Sequence, residues 1–407
     1  MKLRLVFAIV LASWLFPGFV VSARECPSKL PSHMFQVLDS LELGLEFRSF
    51  YFGAAVGEGL PASDEDPERD FQNNLMLGLK PALAWFPLDD LTISFETEIR
   101  FAHPGWETHK LQGVDFRPTQ ALVEYDPGDY RLTAGLQDFN FGSAALLDQR
   151  FGGLSGEYKT KPFSISVFAG LTGRNLMRSV SNCMWMRYAS DNIGWKVVSA
   201  DFYENVVAGM TASFKGMRPY RLMALYLFSY PTSIELLQSH AVSVHFGGPL
   251  VEKYVSFAID AIGYIDHDGY FLPGLVLEMR ARTGGKTAPK FKLGLASSFR
   301  ESDEHRIMSP YENLSWGLIR RYSLYNGHVA YVGAAWPFLE YVKPFIHYYA
   351  QSFSMGADDF EDELDVGLDL ALTDLYRLRL AYVGINLFSE RAPTDAFYAE
   401  LRIVFGE

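Results

Sequence analysis

From Thr92 to Phe101 the even positions hold Thr92, Ser94, Glu96, Glu98 and Arg100, while Ile93, Phe95, Ile99 and Phe101 occupy odd ones. Successive side chains of a strand point to opposite faces, so this segment makes a strand with one apolar and one charged face. The alternation recurs along the chain in runs of roughly 9 to 13 residues, the length a tilted strand needs to cross a bilayer. A soluble sandwich alternates too; recurrence, strand length and turn spacing separate the two. Tight turns are expected at 86–90, 126–129, 160–162, 216–219, 247–249, 284–286, 337–340 and 372–374, where Pro, Gly and Asp supply turn dihedrals and stop the ladder. Longer polar segments at 57–70, 102–114, 142–150, 174–205, 231–239, 300–327 and 354–361 lie between them. Short turns at one end and long loops at the other match the asymmetry of outer-membrane barrels, short turns facing the periplasm and long loops the outside. Eight short turns with both termini on that side imply an all-β, transmembrane antiparallel barrel of about 18 strands. The ambiguous stretch 182–205 leaves 16 open.

The N-terminus has the three-part layout of a secretory signal: Lys2 and Arg4, an uncharged apolar run from Leu5 to Val21, and the small-residue end Val21-Ser22-Ala23. Cleavage after Ala23 is expected, leaving a short periplasmic segment over 24–39 and one barrel domain over 40–407. An uncleaved anchor helix is the alternative, and Pro17-Gly18 interrupts it. A lipoprotein fits less well, because Ala23-Arg24-Glu25 precedes Cys26. Beyond Ala23 no uncharged apolar stretch approaches the roughly 18 residues of a membrane helix; the run 222–234 is broken by Pro231. Only helices and closed barrels satisfy their backbone in lipid, so a membrane-embedded mature chain must be a barrel.

The last strand adds to this. Phe397, Ala399, Leu401, Ile403 and Phe405 alternate with Tyr398, Glu400, Arg402 and Val404, similar to the C-terminal signal read by the barrel-assembly machinery, although Gly406 and Glu407 follow the aromatic. Composition fits as well: 15% aromatic residues with 22 Tyr, 32 Phe and 34 Gly, and a mean hydropathy near zero. A net charge of −12 argues against a nucleic-acid partner.

With the apolar positions facing lipid, the alternate ones line the lumen, where charges avoid the cost of the lipid face. These include Glu42, Glu46 and Arg48 on the first strand, Glu96, Glu98 and Arg100 on the third, then Arg131 and Gln137, and Glu278, Arg280 and Arg282. The last strands add Lys343, His347 and Gln351; Asp365 and Asp369; Arg377 and Arg379; Glu400 and Arg402. Most such ions pair across strands and stiffen the wall. The sharper reading is that Arg280/Arg282 and Arg377/Arg379 form an anion-attracting ladder at a constriction, since rings of charged side chains let pores select by sign.

The segment Ala134-Gly135-Leu136-Gln137-Asp138-Phe139-Asn140-Phe141-Gly142, followed by Leu147-Asp148-Gln149-Arg150-Phe151-Gly152-Gly153-Leu154, resembles alginate-export-type porins. There a strand bearing Gly-Arg-Gln leads through an aromatic-Gly pair and a loop with Arg to a strand opening on Gly; Leu136 departs from the Arg. The resemblance implies an 18-stranded barrel passing polyanionic or small polar solutes. It also implies that Gln137, Gly142 and Arg150 shape the wall or a loop folded inward.

No nucleophile turn is present and His240, His245, His267 and His347 are scattered, so an enzyme is not expected. No cofactor or metal is expected either: the acidic run 64–70 reads as a solvated loop, and Cys26 and Cys183 form no metal motif. A disulfide between them would require the N-terminus to thread the barrel. The expectation is an outer-membrane channel contacting lipid and passing small polar or anionic solutes or polysaccharide. The alternative is a non-conducting barrel whose loops serve adhesion or surface-polymer attachment.

Overall fold

A computed structural model describes residues 34–55, 71–104, 113–142, 148–172, 205–214, 216–231, 238–266, 268–285, 287–298, 327–339, 341–352, 360–373, 375–388 and 393–405. Cys26, Cys183, the run 64–70, His267 and the signal segment 1–23 lie outside them. Nineteen strands follow in order: β1 Met34–Leu38, β2 Leu41–Ala55, β3 Phe71–Leu88, β4 Leu91–Pro104, β5 Gly113–Tyr125, β6 Tyr130–Asn140, β7 Asp148–Lys159, β8 Phe163–Thr172, β9 Asn205–Phe214 and β10 Arg221–Pro231. The rest are β11 Ser239–Val251, β12 Val255–Ile265, β13 Phe271–Arg282, β14 Lys290–Ser298, β15 His328–Ala335, β16 Val342–Ser352, β17 Phe360–Ala371, β18 Tyr376–Ile385 and β19 Thr394–Phe405.

From β2 onward each strand pairs antiparallel with the next, and β19 closes on β2 from Asp395↔Ala55 to Phe405↔Leu45. Closure leaves no exposed edge, the condition for burying a sheet in lipid. The ring has 18 strands, as the turn rhythm implies. The extra strand, β1, pairs with β2 over Met34↔Gly44 to Leu38↔Leu41, continuing where Phe405 stops.

One turn differs from expectation. Gly247-Gly248-Pro249 lies inside β11, and the turn is at 252–254. Glycine and proline mark bulges as well as turns: the ladder shifts register between Pro249 and Val251, and the Tyr220 ring packs against the bare Gly248 backbone. At the opposite end β12 and β13 join tightly, Asp266 Oδ1 accepting from the N–H groups of Asp268 (3.0 Å) and Tyr270 (2.9 Å).

The outward face is a continuous apolar surface, with Leu132, Leu154, Val167, Val242, Leu293 and Val332 exposed. Aromatics gather toward its rims, among them Trp85, Tyr158 and Trp336 at the short-turn end and Tyr230, Phe271 and Phe388 at the other, as in the girdles of membrane barrels. The buried side chains belong mainly to the inward positions.

Candidate functional site

The inward face is best followed along rows of directly opposed residues, which cross strands at right angles and therefore climb a tilted barrel diagonally. One row carries Arg377, Arg402 and Arg48 on β18, β19 and β2, then Gly78 on β3, Arg100 on β4 and Asp115 on β5. It starts beside the short turn before β18 and ends near the loop after β4. The gap at Gly78 adjoins two neighbours: a Cβ there would sit 3.5 Å from Glu98 Oε1 and 3.8 Å from the Arg48 Cβ.

Carboxylates flank this row. Glu46 bonds Arg48 Nε and accepts from Arg402 at 2.8 Å, so one buried acid clamps two arginines of the row. Lys80 reaches Glu96 at 3.0 Å, and Thr119 also bonds Glu96. Glu98 is buried and opposite Arg117 in the register. On the next row Asp369 holds Arg379 through two bonds of 2.5 and 3.0 Å and takes Lys343 at 2.7 Å. Arg379 is therefore committed to the wall, while its neighbour Arg377 stands opposite Arg402.

The remaining sequence candidates separate by role. Arg131 joins Lys159 on Asp126, at 2.8 and 2.7 Å, and lies 3.6 Å from Glu124. The hydrogen bond from Lys159, with help from Arg131 and the Gly128 N–H, holds the carboxyl of Asp126, in the β5–β6 turn, down to about 2. Gln137 accepts from Ser155 at 2.7 Å and is part of the wall. Arg150 stands opposite Asp138 in the register of β6 and β7. Arg280 lies opposite Lys292, and Arg282 opposite Lys290, with Glu278 bonding Arg280 (2.8 Å) and Lys292 (3.0 Å).

The inward face of β7 to β13 is different. One of its rows runs Ser155, Phe168, Gly209, Leu227, Ala241, Tyr264, Leu272. Phe139, Phe151 and Phe168 pack as tilted rings with centroids 4.2 to 6.0 Å apart, and this cluster extends through Leu225 and Ile262 to Tyr331 and Tyr349. Phe141 is buried in it although it has left β6. The next residue, Gly142, has φ +59, and a Cβ there would sit 2.3 Å from Asp260 Oδ1 and 3.1 Å from His245 Nδ1. His245 and Asp260, directly opposed on β11 and β12, are 2.8 Å apart and buried. Since β6 and β12 are not neighbours in the ring, the chain after β6 turns inward and rests on this pair.

Sequence reading missed Lys290, Lys292 and Lys80 as partners and set His245 aside. The alternation Lys290-Lys292-Gly294-Ala296 carried a signal for the first two; nothing in one sequence brings His245 to Gly142.

No family model matches the sequence, and no curated protein matches it. Among solved structures the fold is similar to OpdK of Pseudomonas aeruginosa with vanillate (TM-score 0.59, 12% identity, covering 90% of this chain and 98% of that one). It is likewise similar to OccAB4 of Acinetobacter baumannii (0.59, 11%, 90% and 98%). Against OpdL of P. aeruginosa the values are 0.57, 14%, 90% and 99%. The likeness spans nearly the whole barrel, and the fold of this chain is that of an outer-membrane porin.

Proposed function

We propose that this chain resides in the bacterial outer membrane and is a passive, non-enzymatic channel that passes small polar or anionic solutes. The observation that carries this reading is the diagonal row Arg377, Arg402, Arg48 on β18, β19 and β2, rising along the inward face from the short-turn mouth. A ladder of donors lets an anion exchange partners step by step, binding weakly enough at each to move on. OpdK was solved with vanillate, a small aromatic carboxylate, and a solute of that size and charge suits the row. The β6–β7 resemblance to alginate-export-type porins supports a polysaccharide as a second solute class. Insertion through the assembly machinery, guided by the strand ending at Phe405, belongs to the same reading.

Single-channel recording in planar bilayers tests it. The expected result is open current with anion preference, weakened by Arg377→Glu. A barrel that inserts and passes no current would instead favour a non-conducting role in adhesion or surface-polymer attachment. The buried apolar inward cluster of β6 to β16 is the feature that favours that second reading.

A further inference from the structure

We infer that the short-turn mouth of the barrel holds a second, discrete anion site on β13 and β14, separate from the arginine row and suited to a compact oxyanion with two or more negative charges. It rests on the channel reading only for how the ligand reaches it.

Four inward cations form a two-by-two block: Arg280 faces Lys292, and Arg282 faces Lys290. Opposed strand residues lie about 5 Å apart and alternate residues along a strand about 7 Å. Like charges directly opposite each other destabilise a sheet unless something neutralises them. Elsewhere on the wall something does: Glu46 serves Arg48 and Arg402, and Asp369 serves Arg379 and Lys343. The block contains one carboxylate, Glu278, which is buried with one oxygen on Arg280 and the other on Lys292. Among the described residues, these four cations against one acid leave three positive charges on the block.

These charges face open space. The Arg280 side chain is 66% exposed, and Arg282 and Lys290 are exposed as well. The positions beside the block are small: Ser256 opposite Arg280, Gly333 opposite Lys292 and Ala335 opposite Lys290. Arg282 is held in place by donating from Nε to the Lys253 carbonyl in the β11–β12 turn. That turn places one more cation, Lys253, and one more acid, Glu252, at the rim, both exposed. Tyr331 packs against Lys292, 4.7 Å from its ring centroid, and fixes the inner edge. A singly charged ion would meet only one edge of so wide a block. An anion with two charged ends spans it.

Inorganic pyrophosphate is the probe, with orthophosphate and chloride as comparisons. In bilayers at low ionic strength, pyrophosphate added from the short-turn side should interrupt the current at lower concentration than from the loop side. Arg282→Gln/Lys290→Gln should weaken this roughly tenfold or more, the loss of charge-assisted contacts, while Arg377→Gln should not. Calorimetry on the detergent-folded full chain reads binding independently of conduction, and should show saturable binding lost in the double variant. If current flows but calorimetry finds no saturable pyrophosphate binding, or binding the double variant does not change, the site is overturned and the channel stands. If no current flows but variant-sensitive binding is measured, the channel reading falls and the site stands.

Discussion

The two halves of the lumen wall solve the same problem in opposite ways. Across β16 to β19 and β2 to β5 the inward positions carry many ions, and two buried acids each clamp two cations: Glu46 holds Arg48 and Arg402, and Asp369 holds Arg379 and Lys343. Across β7 to β13, apart from the buried His245–Asp260 pair and the Glu278, Arg280 and Arg282 end of β13, they carry Phe151, Phe168, Leu225, Leu227, Ile262 and Leu272, gathered in one buried cluster. Ions far from lipid cost little only when paired, and buried pairs are rigid because each partner's directions are fixed. Apolar packing needs no partner charge but closes space. In the proposed channel an anion follows the charged half, and the apolar half seats the inward turn at Phe141-Gly142.

The contrast breaks most severely at Asp369. Asp369→Ala leaves Arg379 buried and Lys343 without its acid, and should destabilise the folded barrel by about 3–5 kcal/mol in urea titrations. Replacing Asp369 and Arg379 together by Leu and Met should recover most of that. On the apolar side, Phe168→Ala should cost about 3 kcal/mol by the same titration, with anion preference in bilayers unchanged.

Gly142→Val sharpens the division of labour. The added side chain collides with Asp260 and His245, and a β-branched residue at φ +59 is strained by roughly 1–2 kcal/mol. The turn should leave its seat, so single-channel conductance rises while ion preference holds. A variant with unchanged conductance would show that this turn does not narrow the bore.

The smallest effect is expected at the rim. The carboxyl of Asp126 is held at about 2 by Lys159, then Arg131, against about 3.9 in an unfolded chain. A depressed carboxylate stabilises the fold fully above the unfolded value and loses that contribution as pH falls through the folded one. Barrel stability should therefore decline between about pH 4 and pH 2, and Asp126→Asn should flatten that segment of the curve while leaving neutral-pH stability only slightly lower.

Much of this was legible in the sequence because a period of two fixes which face every residue takes. The alternation at 92–101 and the turn rhythm led to the strand count, while the inward cations Lys80, Lys290 and Lys292 escaped a reading by phase. Register was not legible. That Arg377, Arg402, Arg48 and Arg100 share one row depends on pairings between residues hundreds of positions apart, including closure of β19 on β2, and no local pattern encodes those. The pairs Arg280/Arg282 and Arg377/Arg379 were visible as neighbours along a strand, but their fates differ because their cross-strand partners differ: Asp369 for Arg379, Lys290 for Arg282. Gly247-Gly248-Pro249 misled because the same residues serve a bulge.

The reversal potential across a salt gradient tests the central claim most directly. Although the chain carries a net charge of −12, the arginine row should make the open channel prefer anions. That preference should shrink stepwise as Arg377, Arg48 and Arg402 are changed to Gln one at a time. A wild-type channel that prefers cations, or an anion preference indifferent to all three substitutions, would contradict the account.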